Sequence, residues 1–151
     1  MTGIRKVRVI LGAVAIAVSV LASGALGLAT ANATAKPSPV LKVTPAVGLT
    51  NGRIVKVSGT GFKPHDQVYL VECLVKASGG GQCNTMGAVP VTITAKGLLP
   101  STKFKVITGV IGNGKCGTKA SNLKSCAISA GNASGGDSAV RPITFKAPKK
   151  K

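Results

Sequence analysis

The chain has no tryptophan, one tyrosine and three phenylalanines in 151 residues. Phe62, Tyr69, Phe104 and Phe145 are its whole aromatic content, so a core must be built from Val, Ile, Leu and Ala. The same scarcity removes the basic-plus-aromatic interleaving with which single-strand binders stack bases. Acids are as few: Asp66, Glu72 and Asp137 stand against 20 lysines and arginines. Three dispersed carboxylates do not suggest a hydrolase. The single histidine, His65, sits beside Asp66 in a Pro-led turn with no Ser or Cys nucleophile nearby, so no catalytic constellation is expected and the chain is not read as an enzyme. There is no C-x-x-C pair of the kind zinc sites use, and no metal is expected. No stretch of useful length carries a helical stripe, which leaves no helix for a DNA major groove.

What is present begins with an export pattern. MTGIRKVR carries three positive charges and no acid, and the next 21 residues, 9–29, are uncharged. The small-residue tripeptides Ala29-Thr30-Ala31, Ala31-Asn32-Ala33 and Ala33-Thr34-Ala35 follow, then the polar KPSP. This order of charged, apolar and small-residue regions predicts a signal peptide over 1–35, a signal helix cut after Ala35 or Ala33. The alternative is an uncleaved membrane anchor over 9–29, long enough to span a bilayer. Loss of Arg5, Lys6 and Arg8 with the signal leaves 17 basic residues against three acids, a net charge of +14. Residues 36–146 form one expected domain, and 147–151 a frayed basic tail.

Beyond the signal, apolar and polar residues alternate in short runs broken by Gly, Pro, Asn and Ser, the period of half-buried strands. The expected strands are 40–44, 53–59, 67–74, 89–95, 102–108, 125–130 and 140–146. Seven is the strand count of an immunoglobulin-like Greek-key sandwich, an all-β fold. Turn signals lie between them at Asn51-Gly52, Lys63-Pro64-His65-Asp66, Ser78-Gly79-Gly80-Gly81 and Asn113-Gly114. Val55 and Val57 share one face of their strand, and Phe104 and Val106 oppose Lys103 and Lys105. Lysines should therefore coat the outside of the sheets.

Four cysteines in an exported chain read as two disulfides, with three possible pairings. Cys73 and Cys83 are ten residues apart, as are Cys116 and Cys126. Local pairing is the economical assignment, each bridge contributing about 2 to 3 kcal/mol by loop closure. GVIGNGKC, residues 109–116, nearly spells a phosphate-binding loop, but Cys116 stands where Ser or Thr should hold magnesium and no helix follows. A hairpin turn is the better reading. The excess positive charge predicts salt-screened attraction to polyanions such as DNA, anionic wall polymers or acidic lipids.

Taken in order, VTPAVGLTNGRIVKVSGTGF (43–62), VYLVEC (68–73), the loop to Cys83-Asn84, TAKG (94–97), the pair Cys116 and Cys126, and ITF (143–145) resemble the neocarzinostatin family, the apoproteins of enediyne antibiotics. The resemblance covers residues 40–146. It implies a seven-stranded immunoglobulin-like barrel, disulfides Cys73–Cys83 and Cys116–Cys126, and a cleft between the sheet and the bridged loops. By position, the resemblance places Val75, Gly81, Ala88, Ala127 and Gly131 on the cleft wall. It implies a non-covalent enediyne-type chromophore as the bound group; the residues themselves call for no cofactor. Val75 stands where family members carry a large aromatic group, Ala127 replaces a polar side chain, and the shorter segment from Gly97 to Cys116 predicts a trimmed hairpin. The function expected is that of a secreted, monomeric small-molecule-binding apoprotein, antimicrobial and DNA-associating through its basic surface. The alternative is a cell-envelope structural or adhesive protein held electrostatically to anionic polymers.

Overall fold

The computed structural model describes residues 37–77 and 79–148. The expected signal helix and the end of the basic tail lie outside the described residues. Nine strands make up the described chain: β1 (Val40–Thr44), β2 (Ile54–Thr60), β3 (Gln67–Leu74), β4 (Val89–Thr92), β5 (Leu99–Lys105), β6 (Gly109–Ile111), β7 (Gly114–Cys116), β8 (Cys126–Gly131) and β9 (Ala139–Ile143). The other regular elements are three single-turn 3-10 segments at Gly80–Gln82, Thr85–Gly87 and Ala120–Asn122.

The strands form a three-stranded sheet, β1-β2-β5, a four-stranded sheet, β4-β3-β8-β9, and the hairpin β6-β7. All pairings within the sheets are antiparallel. The chain leaves the first sheet after β2, pairs β3 with β4, and returns to lay β5 against β2. It then crosses again to place β8 beside β3, which is a Greek-key path. Alternation sets the inner faces: Leu41 and Val43, Val55 and Val57, and Phe104 point inward from the first sheet, Val68, Leu70, Val91, Ile128, Ala130 and Ile143 from the second. All three phenylalanines are buried. Lys42, Lys56, Lys103 and Lys105 are exposed, as the alternation requires.

The seven expected strands are all present, with β1 and β3 at their expected bounds, and β6 and β7 are two more. Several ends differ because backbone donors are claimed elsewhere. The strand expected over 102–108 runs from Leu99 to Lys105. Beyond it the Ile107 N–H donates to the Glu72 carboxylate and the Thr108 N–H to the Asn51 side chain, each at 2.9 Å. β4 ends at Thr92, three residues early, since Ile93 donates to the Asp66 carbonyl and Thr94 enters a turn with Leu98. β9 ends at Ile143 because Thr144, Phe145 and Lys146 donate to Ala46, Leu123 and Leu49. The segment GVIGNGKC is a hairpin, as expected, but its two-residue turn is Gly112-Asn113, with Ile111 opposite Gly114.

One polar residue breaks the inner face. Glu72 lies on the core side of β3 and is 1 % exposed. Its Oε2 accepts the Ile107 N–H, and its Oε1 lies 3.9 Å from the Cys116 sulfur. Loss of hydration pushes its pKa up from 4.5 to about 7, against the lowering effect of the Ile107 N–H.

A carboxyl with a raised folded-state pKa contributes its full stability below the unfolded value and loses it as pH rises through the folded one. The unfolded chain ionises first between pH 4.5 and about 7. Stability should therefore fall across that window, by about 3 kcal/mol in all, and level off above it. Glu72→Gln keeps the acceptor for Ile107 and removes the titration. Urea unfolding at pH 5 and pH 8 should show the wild type losing stability and Glu72→Gln losing much less; equal losses would refute the assignment.

Candidate ligand-binding site between the disulfide loops

The bridges join Cys73 to Cys83 and Cys116 to Cys126, the pairing that the resemblance implies. Cys73 is the penultimate residue of β3, Cys116 ends β7 and Cys126 opens β8. The two loops they close are further tied down. In the first, the Asn84 N–H donates to the Glu72 carbonyl at 2.8 Å. In the second, the Asn122 side chain accepts the N–H groups of Thr118 and Lys119 and donates to the Thr118 hydroxyl. Its carbonyl accepts from Gly117, and Phe145 donates to Leu123, which ties the loop to the chain beyond β9. Glu72, Cys116 and Cys126 lie close together. The two sulfurs are bonded to each other, so this trio offers a metal no thiolate.

Between these loops lies a cavity of about 400 Å³. Its floor is apolar, made by Leu74 and Val75. Gly114 and Lys115 line one side and Lys124 and Ser125 another, and the exposed Lys76, Lys115 and Lys124 stand at the rim. Every pair of lining residues directly adjoins a disulfide cysteine: Leu74 and Val75 follow Cys73, Gly114 and Lys115 precede Cys116, and Lys124 and Ser125 precede Cys126. The Val75 N–H donates to the Ser125 carbonyl at 2.8 Å, closing floor to wall. The volume falls in the range of small-molecule pockets. A second cavity of about 420 Å³, lined by residues including Val40, Thr60, Leu98 and Pro100, holds none of the expected residues.

Two glycines bring the hairpin this close. A Cβ on Gly114 would lie 2.6 Å from Leu74 Cδ1. A Cβ on Gly112, whose φ is +54°, would lie 2.3 Å from the Gly81 carbonyl oxygen. The hairpin therefore rests against both the cavity floor and the Cys73–Cys83 loop. Its strands are three residues each, and it carries no aromatic residue.

Of the five expected wall residues, Val75 lines the cavity and is 40 % exposed. Ala127 and Gly131 occupy the outer face of β8, opposite Cys73 and Tyr69 in the register. Ala127 is completely buried, so it backs that face without offering a contact. Ala88 is half-buried just before β4, and Gly81 is exposed in the first bridged loop. The structure thus does not gather the five around one cavity. Leu74, Lys76, Gly114, Lys115, Lys124 and Ser125 escaped the sequence reading. Their nearness in sequence to the cysteines was the signal that could have found them.

His65 has φ 62° in an exposed turn closed by the Asp66 N–H donating to the Lys63 carbonyl. The Asp66 carboxylate accepts from the Gln67 N–H and from the Asn132 side chain.

The model of the neocarzinostatin family matches residues 41–145. Macromomycin of Streptomyces macromomyceticus is 33% identical over 113 residues, 72% of this chain and 77% of its own length. The antitumor antibiotic C-1027 apoprotein of Streptomyces globisporus is 34% identical over 124 residues, 80% of this chain and 83% of its own. The solved structure of macromomycin is similar with a TM-score of 0.57 at 31% identity, covering 72% of this chain and 100% of that one. The solution conformation of apokedarcidin gives 0.51 at 26% identity, over 73% of this chain and 100% of that one. With a family match across both sheets and both bridged loops, and relatives one-third identical over most of its length, the chain belongs to the neocarzinostatin family.

Proposed function

We propose that the protein is a small-molecule-binding apoprotein, exported by residues 1–35, whose ligand occupies the cavity over Leu74 and Val75. The observation that carries the reading is the covalent fixing of the walls: each lining pair adjoins a disulfide cysteine, so the cavity is held open before a ligand arrives. A relative named as an antibiotic apoprotein supports the same class of function, and an antimicrobial role would follow from a toxic cargo carried outside the cell. Val75 makes the apolar contact in the cavity, and Gly81, Ala88 and Gly131 would be reached only by a ligand that extends beyond it. Export fits a chain whose stability draws on two disulfides. No helix among the described residues is long and apolar enough to cross a membrane.

A second reading, attraction to DNA or to anionic polymers of the cell envelope, is favoured by one feature of the three-stranded sheet. Lys56 lies directly opposite Lys103 in the register, with Lys105 beside them on β5 and Lys42 on β1. Like charges facing across a pair cost stability, and a polyanion laid on this face would relieve that repulsion.

Both readings are measurable. A neutral aromatic probe, N-phenyl-1-naphthylamine, should bind saturably with one site per chain, and Val75→Asp should weaken it about tenfold or more by placing a charge on the floor. No saturable uptake would remove the apoprotein reading. For the second, duplex DNA binding followed by anisotropy should weaken steeply with salt. In Lys56→Gln/Lys103→Gln the slope of log K against log salt should fall by about 2, near 0.9 per lost phosphate contact. An unchanged slope would discard the lysine face as the contact.

A further inference from the structure

We propose that the cavity selects an amphipathic anion: a molecule with an apolar body and one acidic group, a carboxylate, sulfonate or phosphate monoester. The inference rests on the apoprotein reading and adds the charge of the ligand. Lys76, Lys115 and Lys124 all line the cavity, and each comes from a different element: the turn after β3, the strand β7 and the segment before β8. Three lysines from separate elements thus share the rim of one apolar floor. All three are exposed, and a lysine at such a position can lay its stem along apolar surface while its ammonium group stays in water.

No acidic side chain at the surface lies nearby to offset that charge. The whole sequence has three acidic side chains. Asp66 precedes β3 and is engaged by Gln67 and Asn132. Asp137 accepts from the Lys63 N–H at that same end of the molecule. The eight residues of β3 lie between Asp66 and Val75, nine steps that span roughly 30 Å at about 3.3 Å per residue, well beyond a physiological screening length of about 8 Å. Glu72 is on the core face and its carboxylate is given to Ile107. The rim therefore holds a concentrated positive potential over an apolar floor.

A neutral apolar ligand would use the floor and leave the lysines repelling one another. A cation would be repelled. An anion with an apolar body satisfies both parts of the site, its acidic group reaching the ammonium groups through short contacts or bridging water. Ser125, at the foot of one wall, adds a hydroxyl donor.

The test compares two probes with one ring skeleton, 1-anilinonaphthalene-8-sulfonate and its neutral counterpart N-phenyl-1-naphthylamine, titrated by fluorescence against the oxidised protein at low and high salt. The sulfonate should bind about tenfold or more tightly at low salt, as expected of several partly screened charge contacts, and the preference should shrink as salt rises. In Lys76→Gln/Lys115→Gln/Lys124→Gln the preference should disappear, because the sulfonate loses about tenfold or more in affinity while the neutral probe changes far less. The variant Lys56→Gln/Lys103→Gln/Lys105→Gln removes the same charge from the three-stranded sheet and should retain the preference. Circular dichroism of both variants checks that they fold; all six positions are exposed. Equal binding of the two probes by the wild type overturns the anion inference and leaves the apoprotein reading standing. A preference that survives in the cavity variant but falls in the sheet variant also overturns it, since the affinity would then belong to the general basic field. Uptake of neither probe overturns both.

Discussion

Two sulfur bridges hold the ends of β3, β7 and β8 where the described core gives way to loops. A sandwich of this size buries a modest apolar area, and here the burial is done by aliphatic side chains and three phenyl rings. Each bridge closes a ten-residue separation, and loop closure of that length removes about 2 to 3 kcal/mol of chain entropy from the unfolded state. That contribution lets the loops stay polar and open. Without it, the walls of the cavity would need apolar packing of their own, and packing would fill the space that a ligand needs.

The same bridges shape the electrostatics. β3 carries a glutamate toward the core just before Cys73, and its burial is tolerated because Ile107 offers an N–H and because the proton can be kept near neutrality. On the solvent side the charge is almost all positive. The sheets separate these two regimes by the two-residue period of a strand. Lys56 lies between Val55 and Val57, and Lys103 and Lys105 flank Phe104, so each of these sheet lysines adjoins a residue that builds the core. The high net charge consequently has little access to the interior, and Glu72 is the one acid placed there.

Much of the sandwich was legible in the sequence because the rule that builds it is local. Alternation marks a strand with one dry face, and it located all seven main strands, including β1 and β3 at their observed ends. Strand ends were less legible because they depend on donors far away in sequence: the true end of β5 follows from Glu72 and Asn51, 35 and 57 residues distant from their partners. The turn of the hairpin moved one residue, from Asn113-Gly114 to Gly112-Asn113, since the close approach of Gly112 to the Gly81 carbonyl is a tertiary fact. The site was the least legible part. Val75, named for its position two residues after Cys73, lines the cavity beside that bridge. Ala127 follows Cys126 directly yet is sealed from solvent on the outer face of β8, opposite Cys73.

Scaffold and site are thus governed by different residues. The core positions, among them Val57, Leu70 and Ile128, are fully buried, where truncation costs several kcal/mol. The rim residues Lys76, Lys115 and Lys124 are exposed, where substitution usually shifts stability by about 0.5 kcal/mol or less. Selection can therefore rewrite the rim freely while the sandwich is retained, which is how a chain one-third identical to its relatives keeps their fold. It follows that membership of the family fixes the scaffold but not the polarity of what binds there. That property resides in side chains the fold leaves unconstrained, and in this chain the charged ones lining the cavity are all lysines.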